Sequence, residues 1–328
     1  MHHPPDHEAA LTRQFIPEEI LSAAHARAAA RAARDWAEAD RLRQAIEAAG
    51  WKIVDRGTDF ALLPAAPADV PEAGRVRYGS SASVPSHLDE APIGVASVVL
   101  IATDHPDDLA RALRALEAHA PVGTSIVIVA DTPSADQEAA LSSVPSSHPL
   151  EVVWTSERLG HGAATNIGIR RAVAPVIILL DASIEPTGDA VTPLVRALDD
   201  PTVAVVGGWG ITSRDLRRFE DAPAGDVDAI EGYCQAFRRS DAAERGPLDE
   251  RFRFYRNLDI WWSLVLRDEG EGEPPRRAVR LDVLPLVRHD HRGWASLPDD
   301  ERDRQSKRNF YRIIDRFGWR RDLLTRPD

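Results

Sequence analysis

Residues 176–185 read VIILLDASIE, a run of five apolar residues that is followed at once by an aspartate. A short, continuous apolar run of this kind predicts a strand that is buried on both faces of a sheet. Polar residues that directly follow such a strand lie at the carboxyl edge of the sheet, where open α/β sheets bind their ligands. Asp181 and its neighbours are therefore the first candidates for a functional site.

Comparable apolar runs alternate with helical patterns on both sides of this stretch. Strands are predicted over 97–101, 125–129, 152–154 and 203–206, and helices over 107–120, 135–141, 162–173 and 189–198. Continuous apolar strands that alternate with helices form a mostly parallel sheet with helices on both faces. The predicted fold class is therefore α/β and Rossmann-like.

Polar residues follow two of the other predicted strands in the same way. Thr103 and Asp104 come after the strand over 97–101, and Asp131 comes after the strand over 125–129. Because the carboxyl ends of parallel strands meet at one edge, we expect these carboxylates to converge with Asp181. Asp131 can accept a hydrogen bond from a nucleobase N–H, and Thr103 stands where backbone groups can meet a base or a ribose.

A pair of glycines precedes the helix predicted over 162–173. Gly160 and Gly162 permit close backbone approach before a helix, and the N-terminus of that helix favours a phosphate or an acidic partner. The alternative is an ordinary turn from strand to helix. Asn166, on the same helix, is expected either to point at a bound nucleotide or to pin a neighbouring loop.

The composition excludes several classes of protein. The chain has 328 residues and a formal net charge of −12, which argues against general binding to nucleic acids or anionic membranes. Cys234 is the only cysteine, so an internal disulfide and a multi-cysteine zinc site are impossible, and a reducing compartment is indicated. No run reaches the roughly 18 apolar residues of a membrane span. We expect a soluble, cytoplasmic protein.

The N-terminal part has a different pattern. Residues 17–49 predict two helices that stop at Gly50, and short strands over 51–54 and 60–63 follow with a turn between them. Residues 65–93 are rich in Pro, Ala, Ser and Gly and lack periodicity, as is typical of a linker. The expected organisation is a small helical module over 1–64, a linker over 65–93 and an α/β domain over 94–328.

The small module contains Ala26-Arg27, the run RDWAEADRLR over 34–43, Gly50 and Asp55-Arg56-Gly57. In these residues it resembles the C-terminal region of bacterial cysteinyl-tRNA synthetases, and that resemblance implies contact with tRNA. The alternative is a compact module reused for protein docking or dimerisation. We favour this alternative because no aromatic and basic patch for RNA is evident, and nucleic acid is not expected as a partner.

The larger part resembles family 2 glycosyltransferases, which have the GT-A fold. The resemblance rests on the ordered set of Asp131, the run ERLGHGAATNIG over 157–168, and Asp181-Ala182-Ser183. It implies a nucleotide-sugar donor, a hydroxyl-bearing acceptor, and a Mg²⁺ or Mn²⁺ ion held by an Asp-x-Asp pair against the diphosphate. Ser183 departs from that pair, which weakens the expected metal site, and Glu185 is an alternative ligand.

Two downstream segments extend the same resemblance. The runs AIEGYCQAFRR over 229–239 and GPLDERF over 246–252 resemble the family's acceptor-side strand and loop, which places Glu231 and Gly232 on the acceptor side. In the family, the catalytic aspartate lies at a helix start about eleven residues before a glycine. Counting back from Gly270 therefore implies that Asp259 is this aspartate. A carboxylate there deprotonates the acceptor hydroxyl while the diphosphate is displaced with inversion.

Several of these assignments have structural alternatives. Asp259 can instead cap the helix predicted over 260–267. Trp261 and Trp262 form either a platform for a sugar or part of the core, and the core is favoured for at least one of them. His289 is preferred slightly over His291 as a further metal ligand, with a solvated turn as the alternative, and Arg288 and Arg292 are candidates for diphosphate oxygens.

Two other functional classes compete with sugar transfer. One is a catalytically silent, nucleotide-binding scaffold of the same fold, which the Ser183 departure and the attached module favour. The other is a nucleotidyltransferase, which needs a glycine-rich, basic loop after the first strand. Residues 102–107 lack such a loop.

Overall fold

The computed structural model describes residues 16–57, 59–64, 67–72, 74–102, 104–142, 144–292 and 297–325. The chain divides into two compact units, with the boundary after Pro67. Within the described ranges, none of the helices combines the length and the apolar composition that crossing a bilayer requires.

The first unit is a helical hairpin followed by a β-hairpin, as the sequence predicts. Its elements are α1 (Glu18–Ala32), α2 (Trp36–Ala48), β1 (Trp51–Arg56) and β2 (Asp59–Pro64). Ile20, Ala24, Ile46 and Ile53 form its core. Arg27 is buried and donates two hydrogen bonds to Asp55, of 2.7 and 3.1 Å. This pairing with Arg27 helps to hold the pKa of the Asp55 carboxyl below its ordinary value.

The second unit is built on a ten-stranded sheet and two small sheets. Its strands are β3 (Val70–Glu72), β4 (Arg75–Tyr78), β5 (Ala96–Ala102), β6 (Thr124–Ala130), β7 (Leu150–Thr155), β8 (Val176–Leu180), β9 (Ile184–Pro186), β10 (Val203–Gly207), β11 (Gly210–Ser213), β12 (Phe219–Asp221), β13 (Gly225–Val227), β14 (Ala229–Ile230), β15 (Cys234–Arg238), β16 (Arg277–Arg280) and β17 (Leu286–Arg288). Its helices are α3 (Pro106–His119), α4 (Ala135–Leu141), α5 (His161–Arg171), α6 (Val191–Ala197), α7 (Arg239–Arg245), α8 (Leu258–Arg267) and α9 (Asp299–Phe317), and a 3₁₀ turn spans Arg321–Leu323.

The order of the large sheet is β13-β16-β10-β15-β8-β5-β6-β7-β4-β3. Strands β8, β5, β6 and β7 run parallel, and the apolar residues on their two faces belong to two separate core clusters. The mostly parallel α/β sheet predicted from the apolar runs is confirmed. The small sheets have the orders β12-β11-β14 and β17-β9.

Strand β15 departs from the parallel pattern, because it runs antiparallel to both β8 and β10. Cys234, at its start, lies opposite Leu180, at the end of β8. The Asp181 amide then donates a hydrogen bond of 3.0 Å to the Tyr233 carbonyl. The residues just before β15 therefore lie at the same sheet edge as the residues just after β8.

The segment over 65–93, which we expected to be a linker, differs from that expectation. Within it, β3 and β4 extend the large sheet, since β4 pairs in parallel with β7. The Arg75 guanidinium lies 4.1 Å from the centre of the Trp154 ring, which fixes this edge by a cation–π contact. Strands of three and four residues are too short to show an alternating hydrophobic pattern, and Pro and Gly lie beside them. These two strands could therefore not be predicted from the sequence.

The close packing of α5 on β5 can be tested at Gly168 through the stability of the larger unit. A Cβ at this position would lie 2.1 Å from Cγ1 of Val99 on β5. Alanine at an open helix position is more favourable than glycine by about 1 kcal/mol, but overpacking costs about 1–3 kcal/mol. We expect Gly168→Ala to lower the free energy of unfolding by up to about 2 kcal/mol, measured by urea denaturation.

Gly208→Ala is the matched control, because its Cβ would meet Cδ1 of Leu284 at an ordinary distance of 3.4 Å. We expect no loss of stability there. An equal loss in both variants would contradict close packing of α5 on β5 as the cause.

Candidate functional site

A cavity of about 940 Å³ opens at the carboxyl ends of β5, β6 and β8. Asp131, Asp181 and Asp259 all line it, so three carboxylates from distant parts of the sequence meet in one cleft. Other predicted site residues in its wall are Asp104, Gly160, Ala182, Glu231, Gly232 and Trp262. Thr103 lies outside the described residues. Gly162, Asn166, Ser183, Trp261 and His289 are described but do not line the cavity.

Asp131 follows β6 and is almost fully buried. Its carboxylate accepts hydrogen bonds from the amides of Leu159 and Gly160, at 2.8 and 3.1 Å, and from the Thr155 hydroxyl at 3.2 Å. Burial raises the pKa of Asp131 above its ordinary value, although these donors oppose the shift. Asp131 thus anchors the loop before α5 as well as forming part of the cavity wall.

The glycine pair allows two loops to pack closely. A Cβ on Gly160 would lie 2.9 Å from Cα of Arg253, and one on Gly162 would lie 2.9 Å from the Asp249 carbonyl oxygen. The amides of His161 and Gly162 donate to the carbonyls of Arg253 and Phe252. These amides are engaged within the protein, so the phosphate role expected for the N-terminus of α5 is not supported by the geometry.

Asn166 pins a neighbouring loop, which was one of its two expected roles. Its side-chain amide donates to the Leu248 carbonyl at 3.0 Å, and its side-chain oxygen accepts from the Leu248 amide at 2.8 Å. A further bond of 3.0 Å joins it to the Glu250 carboxylate. Asn166 therefore positions the 248–250 segment from behind the cavity wall.

Asp104 lies at the exposed rim of the cavity, where it pairs with Arg158 at 3.1 Å. The same guanidinium donates to the Thr132 carbonyl at 3.3 Å. Arg158 thereby links the loops that follow β5 and β6. Asp104 was predicted from the sequence as a site residue, whereas its arginine partner was not.

Asp181 faces His291, with 3.3 Å between Oδ2 and the imidazole Nε2. Although burial opposes ionisation, hydrogen bonds from His291 and Ser183 hold the pKa of Asp181 below its ordinary value. The pKa of His291 is raised despite burial, because Asp181 stabilises the imidazolium. The site therefore holds a carboxylate and an imidazole side by side.

The two remaining metal-ligand candidates, Ser183 and His289, are each paired with a neighbouring carboxylate. The Ser183 amide and hydroxyl both donate to Oδ1 of Asp181. The His289 imidazole pairs with Glu185 at 2.6 Å. The preference for His289 over His291 is therefore corrected, because His291 is the histidine that faces Asp181. Arg292 is bound to Asp108, and Arg288 lies over the Tyr233 ring, so neither lines the cavity.

Asp259 lies in the first turn of α8, whose N-cap is Asn257 in the left-handed conformation at φ 69°. The N-cap position considered for Asp259 is thus held by Asn257, whose side chain makes no capping hydrogen bond. The Asp259 carboxylate accepts hydrogen bonds from the amides of Gly232, at 2.8 Å, and Ile260, at 2.9 Å. Burial raises the pKa of Asp259 above its ordinary value.

Glu231 lines the cavity beside Asp259. Burial raises the pKa of Glu231, and the charge of Asp259 raises it further. The two tryptophans are part of the core, since both are buried and their rings stack at 6.3 Å. Trp262 also packs edge-on against Phe237 behind the cavity.

Basic and aromatic residues of the wall were missed from the sequence. They are Arg158, His161, Arg217, Arg253, Tyr255 and Arg256. His161 opens α5, and burial lowers its pKa to about 4, so its imidazole is neutral at pH 7. The Tyr255 ring stacks on His291 at 4.6 Å. The run RFRFYRN over 251–257, which alternates arginines and aromatics directly before Asp259, was the available signal.

Short segments of the chain are similar to curated cysteine–tRNA ligases. The ligase of Opitutus terrae is 46% identical over 50 residues, which is 15% of this chain and 11% of that protein. Cysteine–tRNA ligase 1 of Burkholderia lata is 48% identical over 40 residues, which is 12% of this chain and 8% of that protein. The chain thus spans a small part of these relatives.

Two solved structures show the same fold. GalNAc-T7 with UDP, GalNAc and Mn²⁺ superposes with a TM-score of 0.55 and 16% identity, over 68% of this chain and 48% of that one. The mannosyltransferase PcManGT of Pyrobaculum calidifontis, in complex with GDP-Man and Mn²⁺, gives a TM-score of 0.51 and 17% identity, over 71% of this chain and 67% of that one. Residues 97–254 match the family model described as glycosyl transferase family 2. Over these residues the chain is similar to glycosyl transferase family 2, and its larger unit has the GT-A fold.

Proposed function

We propose that the larger unit transfers a sugar from a nucleotide-diphosphate donor to a hydroxyl-bearing acceptor. The observation that carries this proposal is that Asp131, Asp181 and Asp259 line a single cavity at the carboxyl edge of the sheet. About 940 Å³ is within the usual range of roughly 300–1,000 Å³ for small-molecule sites. The family-model match over 97–254 and the fold agree with this chemistry.

Asp259 is the proposed general base. Its carboxylate is held by two backbone amides, and its raised pKa makes it a better proton acceptor than an exposed aspartate. In the transfer, Asp259 takes the proton of the acceptor hydroxyl as that oxygen forms a bond to the anomeric carbon. The bond from the anomeric carbon to the diphosphate breaks on the opposite side, and the configuration inverts.

Asp181 and His291 are the proposed protein ligands of a Mg²⁺ or Mn²⁺ ion. A carboxylate oxygen and an imidazole nitrogen that lie 3.3 Å apart on the cavity wall fit two positions of such an ion. The described residues provide no group of three His, Cys, Asp or Glu side chains that could hold a metal ion. Oxygen atoms of the nucleotide-sugar donor would therefore complete the coordination shell of the ion. A bound cation would neutralise the charge of the leaving diphosphate.

Four arginines give the cavity additional positive charge. Arg158, Arg217, Arg253 and Arg256 line it, and guanidinium groups bind phosphate oxygens strongly. At the rim, Asp104 and Arg158 stand near Asp131, the side that we assign to the nucleoside. Glu231 and Gly232 stand near Asp259, the side that we assign to the acceptor.

A second candidate function is a catalytically silent scaffold of the same fold that binds a nucleotide. The observation that favours it is Ser183, whose hydroxyl donates to Asp181 where a second carboxylate ligand is expected. In either case we propose that the N-terminal module serves for protein docking.

Asp259→Asn separates the two functions. Loss of a general base typically costs about 10²- to 10⁴-fold in rate, so we expect kcat for donor turnover to fall at least about 100-fold while binding of the nucleoside diphosphate persists. Donor turnover by the wild type and the variant is measured by release of nucleoside diphosphate. Asp315→Asn, an exposed position on α9, is the control. Equal turnover in Asp259→Asn and the wild type would disprove the role of this carboxylate.

The raised pKa of Asp259 predicts an acidic limit of activity. The base must be ionised, so kcat should fall as the pH is lowered through a pKa above the ordinary aspartate value of about 3.9. Arg256 favours the ionised form of Asp259. Arg256→Gln removes that positive charge, so we expect the acidic limb of the kcat profile to move to higher pH. No shift, or a shift to lower pH, would show that another group controls the limb.

Metal binding is tested by thermal shift, since a ligand that binds the native state raises the melting temperature. We expect Mn²⁺ to increase the stabilisation by UDP or GDP in the wild type, and Asp181→Asn to abolish that increase. Glu185→Gln is the matched control, because Glu185 pairs with His289 instead of facing the cavity. An effect in Glu185→Gln but not in Asp181→Asn would place the ion elsewhere.

A further inference from the structure

Helix α9 buries an asparagine in an otherwise apolar stripe. Its buried residues are Asn309, Ile313 and Phe317, and Asn309 is only 2% exposed. Asparagine is a weak helix former, and burying an amide is unfavourable unless hydrogen bonds replace those to water. The position therefore needs an explanation other than packing.

The explanation lies in the loop that precedes α8. The Asn309 side-chain amide donates to the carbonyl oxygens of Phe254 and Arg256, both at 2.8 Å. In return, the Asn257 side-chain amide donates to the Ser306 carbonyl on α9 at 3.0 Å. Three hydrogen bonds thus join the helix to three residues of the 254–257 loop.

This loop forms part of the cavity wall and leads into Asp259. Residues 254–257 all line the cavity. The left-handed Asn257 occupies the N-cap position of α8, where the Leu258 amide donates to the Tyr255 carbonyl and the Trp261 amide donates to the Asn257 carbonyl, both at 3.1 Å. A shift of the loop would therefore move the first turn of α8, and Asp259 with it. Asn309 itself does not line the cavity.

We propose that Asn309 is a positioning residue for the transfer reaction, which fixes Asp259 and Tyr255 through the main-chain carbonyls of Phe254 and Arg256. This inference rests on the proposed role of Asp259 as general base. It assigns a function to the C-terminal helix, which supplies no carboxylate to the site but determines where one is held.

The test compares Asn309→Leu, which keeps the approximate shape without the two donors, with Ile313→Val on the same buried stripe. Asn309→Asp is a second variant that keeps the shape more closely and also lacks the donors when ionised. Small misplacements of reacting groups cost up to about 100-fold in rate, so we expect kcat to fall about 10- to 100-fold in both Asn309 variants. The KM for the donor should not change, and the acidic limb of the kcat profile should move. Ile313→Val should leave kcat and the pH profile as in the wild type.

Hydrogen exchange provides a readout that does not depend on activity. We expect faster exchange in peptides that cover 253–261 in the Asn309 variants, and wild-type exchange there in Ile313→Val. Unchanged exchange in the Asn309 variants, or faster exchange with unchanged kcat, would overturn the proposal. If the wild type shows no transfer, the proposed function fails, and the exchange data alone decide whether Asn309 holds the loop.

Discussion

The antiparallel insertion of β15 between β8 and β10 is the constraint on which the rest of the site depends. In a wholly parallel sheet, the residues before β15 would lie at the amino edge, far from Asp181. Because β15 runs in the opposite direction, its start meets the end of β8, and the Asp181 amide bonds to the Tyr233 carbonyl at 3.0 Å. Gly232 is thereby placed at the carboxyl edge, where its amide reaches Asp259.

The environments of the aspartates differ, although all three face one cavity. Asp181 is kept ionised, with a lowered pKa, because His291 and Ser183 donate to it. Asp259 and Asp131 have raised pKa values because burial dominates. Two carboxylates of one site whose pKa values are driven apart are suited to different tasks. This difference supports an electrostatic role for Asp181 and a proton-accepting role for Asp259.

The sequence was sufficient to predict the sheet and the edge at which the cavity opens. The strand expected over 176–180 has those bounds, since a continuous apolar run has few alternatives in an α/β pattern. Strands β3 and β4 were missed because three or four residues beside Pro and Gly carry no usable period. The sequence could not choose between His289 and His291, because both follow the same short strand and only the loop geometry decides which one faces Asp181.

The start of α5 shows why arginines matter in so acidic a chain. A helix N-terminus usually offers backbone N–H groups to an anion. Here the amides of Leu159 and Gly160 donate to Asp131, and those of His161 and Gly162 donate to the 252–253 backbone. The pKa of His161, about 4, leaves its imidazole without charge. Positive potential for an anionic ligand is therefore left to side chains, above all to arginines. Arg253 and Arg256 belong to the same short run that Gly160, Gly162 and Asn309 hold in place.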